Sequence, residues 1–224
     1  MFDSLIRFVR DQYRTDEFIP LHAPVFRGRE RELVLDTIDS TFVSSVGAYV
    51  DRFENEMAAF TGSQRAVAVM NGTAALHIAL KLADVLPGDL VVTQSLTFVA
   101  TCNAIAYCSA EPLFVDVDRH TLGLSPKALD SWLAEHALID DNGDCRTRNG
   151  HRRIRACLPM HTFGHPVELD ELIAVCERWH LILVEDAAES LGSYYKGRHT
   201  GNFGKIGVLS FNGNKIMTTG GGGM

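Results

Sequence analysis

No apolar run in this 224-residue chain approaches the ~20 residues that a membrane-spanning helix requires. The opening MFDSLIRFVRDQYRTDEF scatters charges among its apolar positions and lacks the continuous apolar stretch and small-residue cleavage site of a secretory leader. A cytoplasmic protein with no membrane partner is expected. Positive charge is also scarce: 21 Lys and Arg face 28 Asp and Glu, a formal net charge of -7. No broad basic surface is available to a phosphate backbone, so nucleic acid is not an expected partner. Cysteine is sparse and odd in number, and Cys102, Cys108, Cys145, Cys157 and Cys176 include no C-x-x-C pair. Reduced thiols fit better than a disulfide framework or a zinc site. His161 and His165 have the i, i+4 spacing of a helical metal pair, but Gly164 and Pro166 stand where that helix would have to run. A loop is expected there, and no metal site. A G-x-G-x-x-G motif after the first strand is absent as well, which removes the main support for a dinucleotide-binding oxidoreductase. The Gly-rich stretch 197–205, GRHTGNFGK, fits neither the dinucleotide nor the P-loop spacing and reads as a turn between strands.

What is present is the balance of a globular protein, 46% hydrophobic and 22% charged. From Ala66 onward, short β-branched runs alternate with helical patterns, the signal of βαβ units around a mostly parallel sheet flanked by helices. The strand candidates are residues 66–70, 90–94, 113–117, 154–160, 181–185 and 206–211. The helix candidates are 73–83, 98–107, 125–136 and 167–180, with Pro126 suited to a first turn. Upstream, 29–41 and 49–60 read as amphipathic helices, so the chain divides into an N-terminal arm with helices (1–60) and a large α/β domain (61–224). The polar stretch 140–153, DDNGDCRTRNGHRR, reads as an exposed excursion before the next strand.

In open parallel sheets, ligands bind outside the carboxyl ends of the strands, so the residues that follow each strand carry the functional question. After the first comes Asn71-Gly72-Thr73-Ala74-Ala75 opening a helix, a small-residue turn suited to holding a phosphate at a helix N-terminus. After the second comes Thr97-Phe98, after the fifth Asp186 with Glu189 close behind, and after the last Ser210-Phe211-Asn212-Gly213-Asn214-Lys215. Each element alone has an ordinary explanation as a helix start, a core aromatic or a cap. Together they supply a phosphate cradle, an aromatic platform, a carboxylate for a pyridine nitrogen and a lysine for a Schiff base, which is the inventory that pyridoxal 5'-phosphate (PLP) needs.

The segments NGTAALHIAL, LTFVATCNAIAYCSAEPLFVDVD, HTFGHPVELDEL, VEDAAESLGSYYKGRHTGNFGKIGVLSFNGNK and TTGGGGM resemble the DegT/DnrJ/EryC1/StrS family of sugar aminotransferases, from about Leu21 to the last residue. The resemblance implies the fold-type I PLP aminotransferase large domain. It implies that Lys215 forms the Schiff base, that Asp186 pairs with the pyridine nitrogen, that Phe98 stacks on the ring, and that Gly72, Thr73, Ala74 and Ser210 bind the phosphate. Glu189 stands where many relatives carry His or Gln, and is placed near the cofactor's 3-hydroxyl or the substrate. By the same resemblance the reaction moves an amino group from an amino acid, glutamate being the expected donor, to a nucleotide-linked keto-sugar, in pathways such as those of legionaminic-type nonulosonic acids. A homodimer is implied too. Family members are considerably longer, so the chain is expected to be incomplete at its C-terminus, with a small C-terminal domain missing. Two rival readings stay open: a PLP-dependent sugar dehydratase of the same family, in which histidine replaces the lysine that this chain has at 215, and a non-catalytic PLP- or sugar-binding regulator.

Overall fold

Leu90, Val91, Val92, Thr93 and Gln94 are all buried, as befits a strand covered by helices on both faces. This run is β1 (Leu90–Gln94) of a computed structural model that describes residues 2–224. In chain order the helices are α1 (Asp3–Tyr13), α2 (Glu30–Asp39), α3 (Ala48–Thr61), α4 (Gly72–Leu82), α5 (Val99–Tyr107), α6 (Pro126–His136) and α7 (Leu169–Arg178). The strands after β1 are β2 (Glu111–Val115), β3 (Ala137–Ile139), β4 (Cys145–Thr147), β5 (Ile154–Cys157), β6 (Ile182–Asp186), β7 (Tyr194–Tyr195), β8 (Arg198–His199) and β9 (Ile206–Val208). A five-stranded sheet runs in the order β2-β1-β5-β6-β9, every neighbouring pair parallel. Among the described residues no helix is long and apolar enough to cross a membrane.

Side chains alternate across each strand, and the alternation divides the core in two. Leu90, Val92, Cys157 and Leu183 pack under Leu129 and Leu133 of α6 and Leu169 and Leu172 of α7. Val91, Ala156 and Val184 pack on the opposite face under Leu76 and Leu80 of α4 and Ala104 and Ile105 of α5. Each such leucine taken from water stabilises the fold by about 1.5–3 kcal/mol. The helix starts follow local chemistry. Ser125 accepts the Ala128 amide ahead of Pro126, and Asn71 does the same for the Ala74 amide at the head of α4.

Two expectations need correction. Residues 66–70 form no strand: Val69 makes a single antiparallel bridge, and its partner is Gly223 of the Gly-rich tail rather than a sheet neighbour. The excursion 140–153 is not plain loop, because β3 and β4 pair as an antiparallel hairpin and bury Cys145. Its polar residues satisfy one another, with Asp140 accepting the Asn142 and Asp144 amides and Arg146 bridging Asp140 and Asp144. Composition alone therefore misjudged it. The opening segment carries α1, whose residues are largely exposed.

The tail turns back on the sheet's last strand, Gly222 and Met224 bonding the backbone of Phe211 and Leu209. A β-carbon at 223 would lie 2.3 Å from the Asn71 carbonyl carbon and 2.6 Å from the Gly72 nitrogen. Neither backbone atom can retreat without moving the head of α4. Gly223→Ala is therefore expected to destabilise the chain by about 1–3 kcal/mol, read as a lower denaturant midpoint, whereas Gly213→Ala, with open space around it, should leave the midpoint unchanged.

Candidate active site

The carboxyl ends of β1, β6 and β9 and the head of α4 surround a cavity of about 370 Å³. Gly72, Thr73, Phe98, Asp186, Glu189, Ser210 and Lys215 all line it. The remaining expected residue, Ala74, sits one position further into α4, and its amide is already taken by Asn71 Oδ1 at 2.8 Å. That leaves the Gly72 and Thr73 amides as the outward donors of the helix head. Ser210 approaches the same spot closely enough that a β-carbon at 72 would stand 2.9 Å from Ser210 Cβ. The wall so made carries amides and hydroxyls and no side-chain bulk, which is the donor chemistry that suits a phosphate.

Lys215 is held in a turn after β9, its amide bonded to Asn212 O, and its side chain is 12% exposed. Its Nζ lies 3.1 Å from Glu189 Oε1 and 5.8 Å from the centroid of the Phe98 ring. The second Glu189 oxygen accepts the Phe163 amide at 3.1 Å. Phe163 takes a left-handed backbone conformation, φ 53°. Glu189 thus belongs to the cavity as the partner of the lysine.

Asp186 ends β6 on the face of α4 and α5. Its Oδ2 accepts the Thr101 hydroxyl at 2.7 Å, and its Oδ1 accepts the Ala188 amide at 3.2 Å. Thr101 in turn lies 2.7 Å from the Thr97 hydroxyl. Burial pushes the Asp186 carboxyl above its ordinary range, against the pull of Thr101, Ala188, Lys215 and His161. A buried carboxylate in that position gains from any cation brought to its cavity side. The residues present therefore fit PLP: a neutral donor cradle, a ring face, an acid for the pyridine nitrogen and an amine.

The sequence profile of the DegT/DnrJ/EryC1/StrS aminotransferase family matches residues 25–224. The chain belongs to that family. Its relatives include a protein named putative pyridoxal phosphate-dependent aminotransferase EpsN from Bacillus subtilis, 41% identical over 92% of this chain and 50% of the relative. GDP-perosamine synthase of Caulobacter vibrioides is 38% identical over 92% of this chain and 51% of the relative. Among solved structures, an aminotransferase from Psychrobacter cryohalolentis superposes with a TM-score of 0.79 at 32% identity, covering 92% of this chain and 48% of that one. The chain spans about half the length of the curated relatives it matches. The fold is the α/β large domain of these aminotransferases, and the family is one of PLP-dependent enzymes.

Sequence reading missed three partners. Thr101 is hidden because a threonine inside a helix pattern has many uses. His161 stands in an expected loop, where nothing local assigns its ring a partner. Its ring meets the Glu185 carboxylate, at 3.0 Å. Glu185, one residue before Asp186, looked like an ordinary strand end.

The two adjacent carboxylates respond oppositely to acid. Burial pushes Glu185 up, but the His161 ring and the Gly204 and Gly201 amides outweigh it and hold the carboxyl below its ordinary value. Its contribution to stability is present above the unfolded carboxyl range and lost as pH falls through the folded value. Asp186 is raised, so its ionisation costs stability at neutral pH and that cost vanishes on acidification. In cofactor-free protein, Glu185→Gln should lower the melting temperature at neutral pH by an amount that shrinks below about pH 4. Asp186→Asn should raise it at neutral pH, and this gain too should shrink in acid. Thermal scans of both variants across that range check the signs.

Proposed function

We propose that this chain carries the cofactor-binding half of a cytoplasmic, homodimeric enzyme that transfers an amino group from an amino acid, glutamate, to a nucleotide-linked keto-sugar. The observation that carries the reading is the meeting of Lys215 Nζ, Glu189, Asp186 and the Phe98 ring in one cavity beside the head of α4. The GDP-perosamine synthase relatives support a sugar acceptor. Lys215 in that cavity speaks for transamination over the dehydratase reading, which requires histidine at this position.

PLP, when bound, supplies an electron sink for the bonds of the donor's α-carbon. Lys215 would hold it through Nζ and would supply the amine that moves the proton at the donor's α-carbon. Glu189 holds Nζ at a fixed point of the cavity. Asp186, braced by Thr101 and the Ala188 amide, would face the pyridine nitrogen and favour its protonated form. Phe98 would cover the ring, while the Gly72 and Thr73 amides at the head of α4, with the Ser210 hydroxyl, would take the phosphate. Donor and acceptor visit in turn, so ping-pong kinetics follow.

Titrating the protein with PLP is expected to produce a new near-ultraviolet or visible band. Borohydride reduction followed by peptide mapping should then find the label on Lys215. A label on another lysine, or no band at all, would overturn this reading.

A further inference from the structure

Glu185 and Asp186 are neighbours on β6, so their side chains leave opposite faces of the sheet. Asp186 faces the cavity. Glu185 faces the α6 and α7 side, where its carboxylate has no exposure to solvent and no aqueous reason to be charged. Four donors surround it: the Gly201 amide at 2.8 Å, the Phe203 amide at 2.6 Å, the Gly204 amide at 2.7 Å and His161 Nε2 at 3.0 Å. Removing solvent from a carboxylate costs several kcal/mol, and a strand end does not need a charge to hold its place. The group has to be explained by what it joins.

It joins three segments that each carry part of the site. The 201–204 turn leads directly into β9, at whose far end lie Ser210 and Lys215. His161 belongs to the turn after β5. Its ring is fully buried, its Nδ1 accepts the Val167 amide at 3.3 Å, and its own amide donates to the Asp186 carbonyl at 3.1 Å. Two residues on, Phe163 donates its amide to Glu189. The pair therefore fastens the backbone beneath Asp186, the turn that orients Glu189 and the approach to the lysine strand.

We propose that His161 and Glu185 are positioning residues of the cofactor site. Their buried contact sets the Asp186 carboxylate and the β9 segment at the spacing that PLP requires, a role that rests on the PLP reading above. Neither residue touches the cavity. Their effect passes through Asp186, as the outer partner of a ligating group acts through the ligand it orients.

The test uses PLP itself, titrated by absorbance into the wild-type chain, His161→Gln, Glu185→Gln and the double variant, at a temperature where circular dichroism shows each folded. Each single variant is expected to bind PLP about tenfold or more weakly. The double variant should bind no more weakly than the worse single, because both act through one contact. A purely structural contact would lower the unfolding midpoint and leave the Kd of the folded protein unchanged. Folded single variants with wild-type affinity overturn the proposal, as does a double variant whose loss is the product of the single losses. Wild type is observed as well by histidine-selective ¹⁵N spectra, which need no variant to fold. The ring should show Nε2 protonated and Nδ1 accepting, and both signals should shift when PLP is added. Signals indifferent to PLP would also overturn it. A wild-type chain without PLP affinity would sink the cofactor reading and this role with it, whereas loss of coupling in a PLP-binding chain sinks this role alone.

Discussion

Lys215→Ala is expected to abolish the covalent PLP adduct altogether, and with it any half-reaction with an amino donor. The argument is one of supply. Among the side chains around the cavity, Lys215 alone carries an amine. The neighbouring lysine, Lys205, lies at the opposite end of β9, with its Nζ on the Leu82 carbonyl and its amide on the Leu183 carbonyl. A strand of parallel sheet separates the two amines, so Lys205 cannot reach the cavity without unpairing β9. Lys205→Ala should therefore leave the adduct band and its borohydride product unchanged. Loss of Lys215 also strips Glu189 of its ion-pair partner, so both variants should be compared at a temperature where each is folded. Residual borohydride-stable label in Lys215→Ala would move the assignment to a different amine.

Asp186→Asn is the second large effect. The substitution keeps the shape, and the amide oxygen still accepts from Thr101 or from the Ala188 amide. What disappears is a preorganised negative charge in a buried position, a loss that typically costs about 10²-fold or more in the chemical step. PLP should still bind, though more weakly, because the lysine and the phosphate cradle are untouched while the charge that faces its ring is lost. Single-turnover mixing of PLP-loaded protein with glutamate, followed by absorbance, separates the two steps. A half-reaction at the wild-type rate would leave Asp186 as a turn-capping residue only. Because the same variant is expected to melt higher without cofactor, it sets stability against function at one carboxylate.

The fold was legible wherever periodicity and capping agreed. Leu90 to Gln94 reads as a strand because it is a short run rich in β-branched residues, and Ser125-Pro126 marks the start of α6 in the sequence as in the structure. The cavity residues were legible because their types complement one ligand and each follows a strand or opens a helix. Contacts made at long range were not. Thr101 meets Asp186 across 85 residues, and His161 meets Glu185 across 24. No local pattern announces either meeting, since a threonine in a helix and a glutamate at a strand end are common. The strand expected at 66–70 failed for the related reason that pairing is decided by the partner, here a glycine more than 150 residues away that offers a single bridge.

The adjacency of Glu185 and Asp186 also bears on how β6 finds its place as the chain folds. A slip of one residue against β5 or β9 would exchange the two carboxylates between the faces of the sheet. Glutamate would then face α4 and α5 and aspartate the α6 and α7 side, so that neither carboxylate would keep the partners it has in the native register. The misaligned sheet would bury unpaired donors. The charged pair thus acts during assembly as a key that admits one alignment of β6, and a Glu185→Leu chain, in which the alternative loses its electrostatic penalty, is the sequence in which slipped pairing would first become competitive.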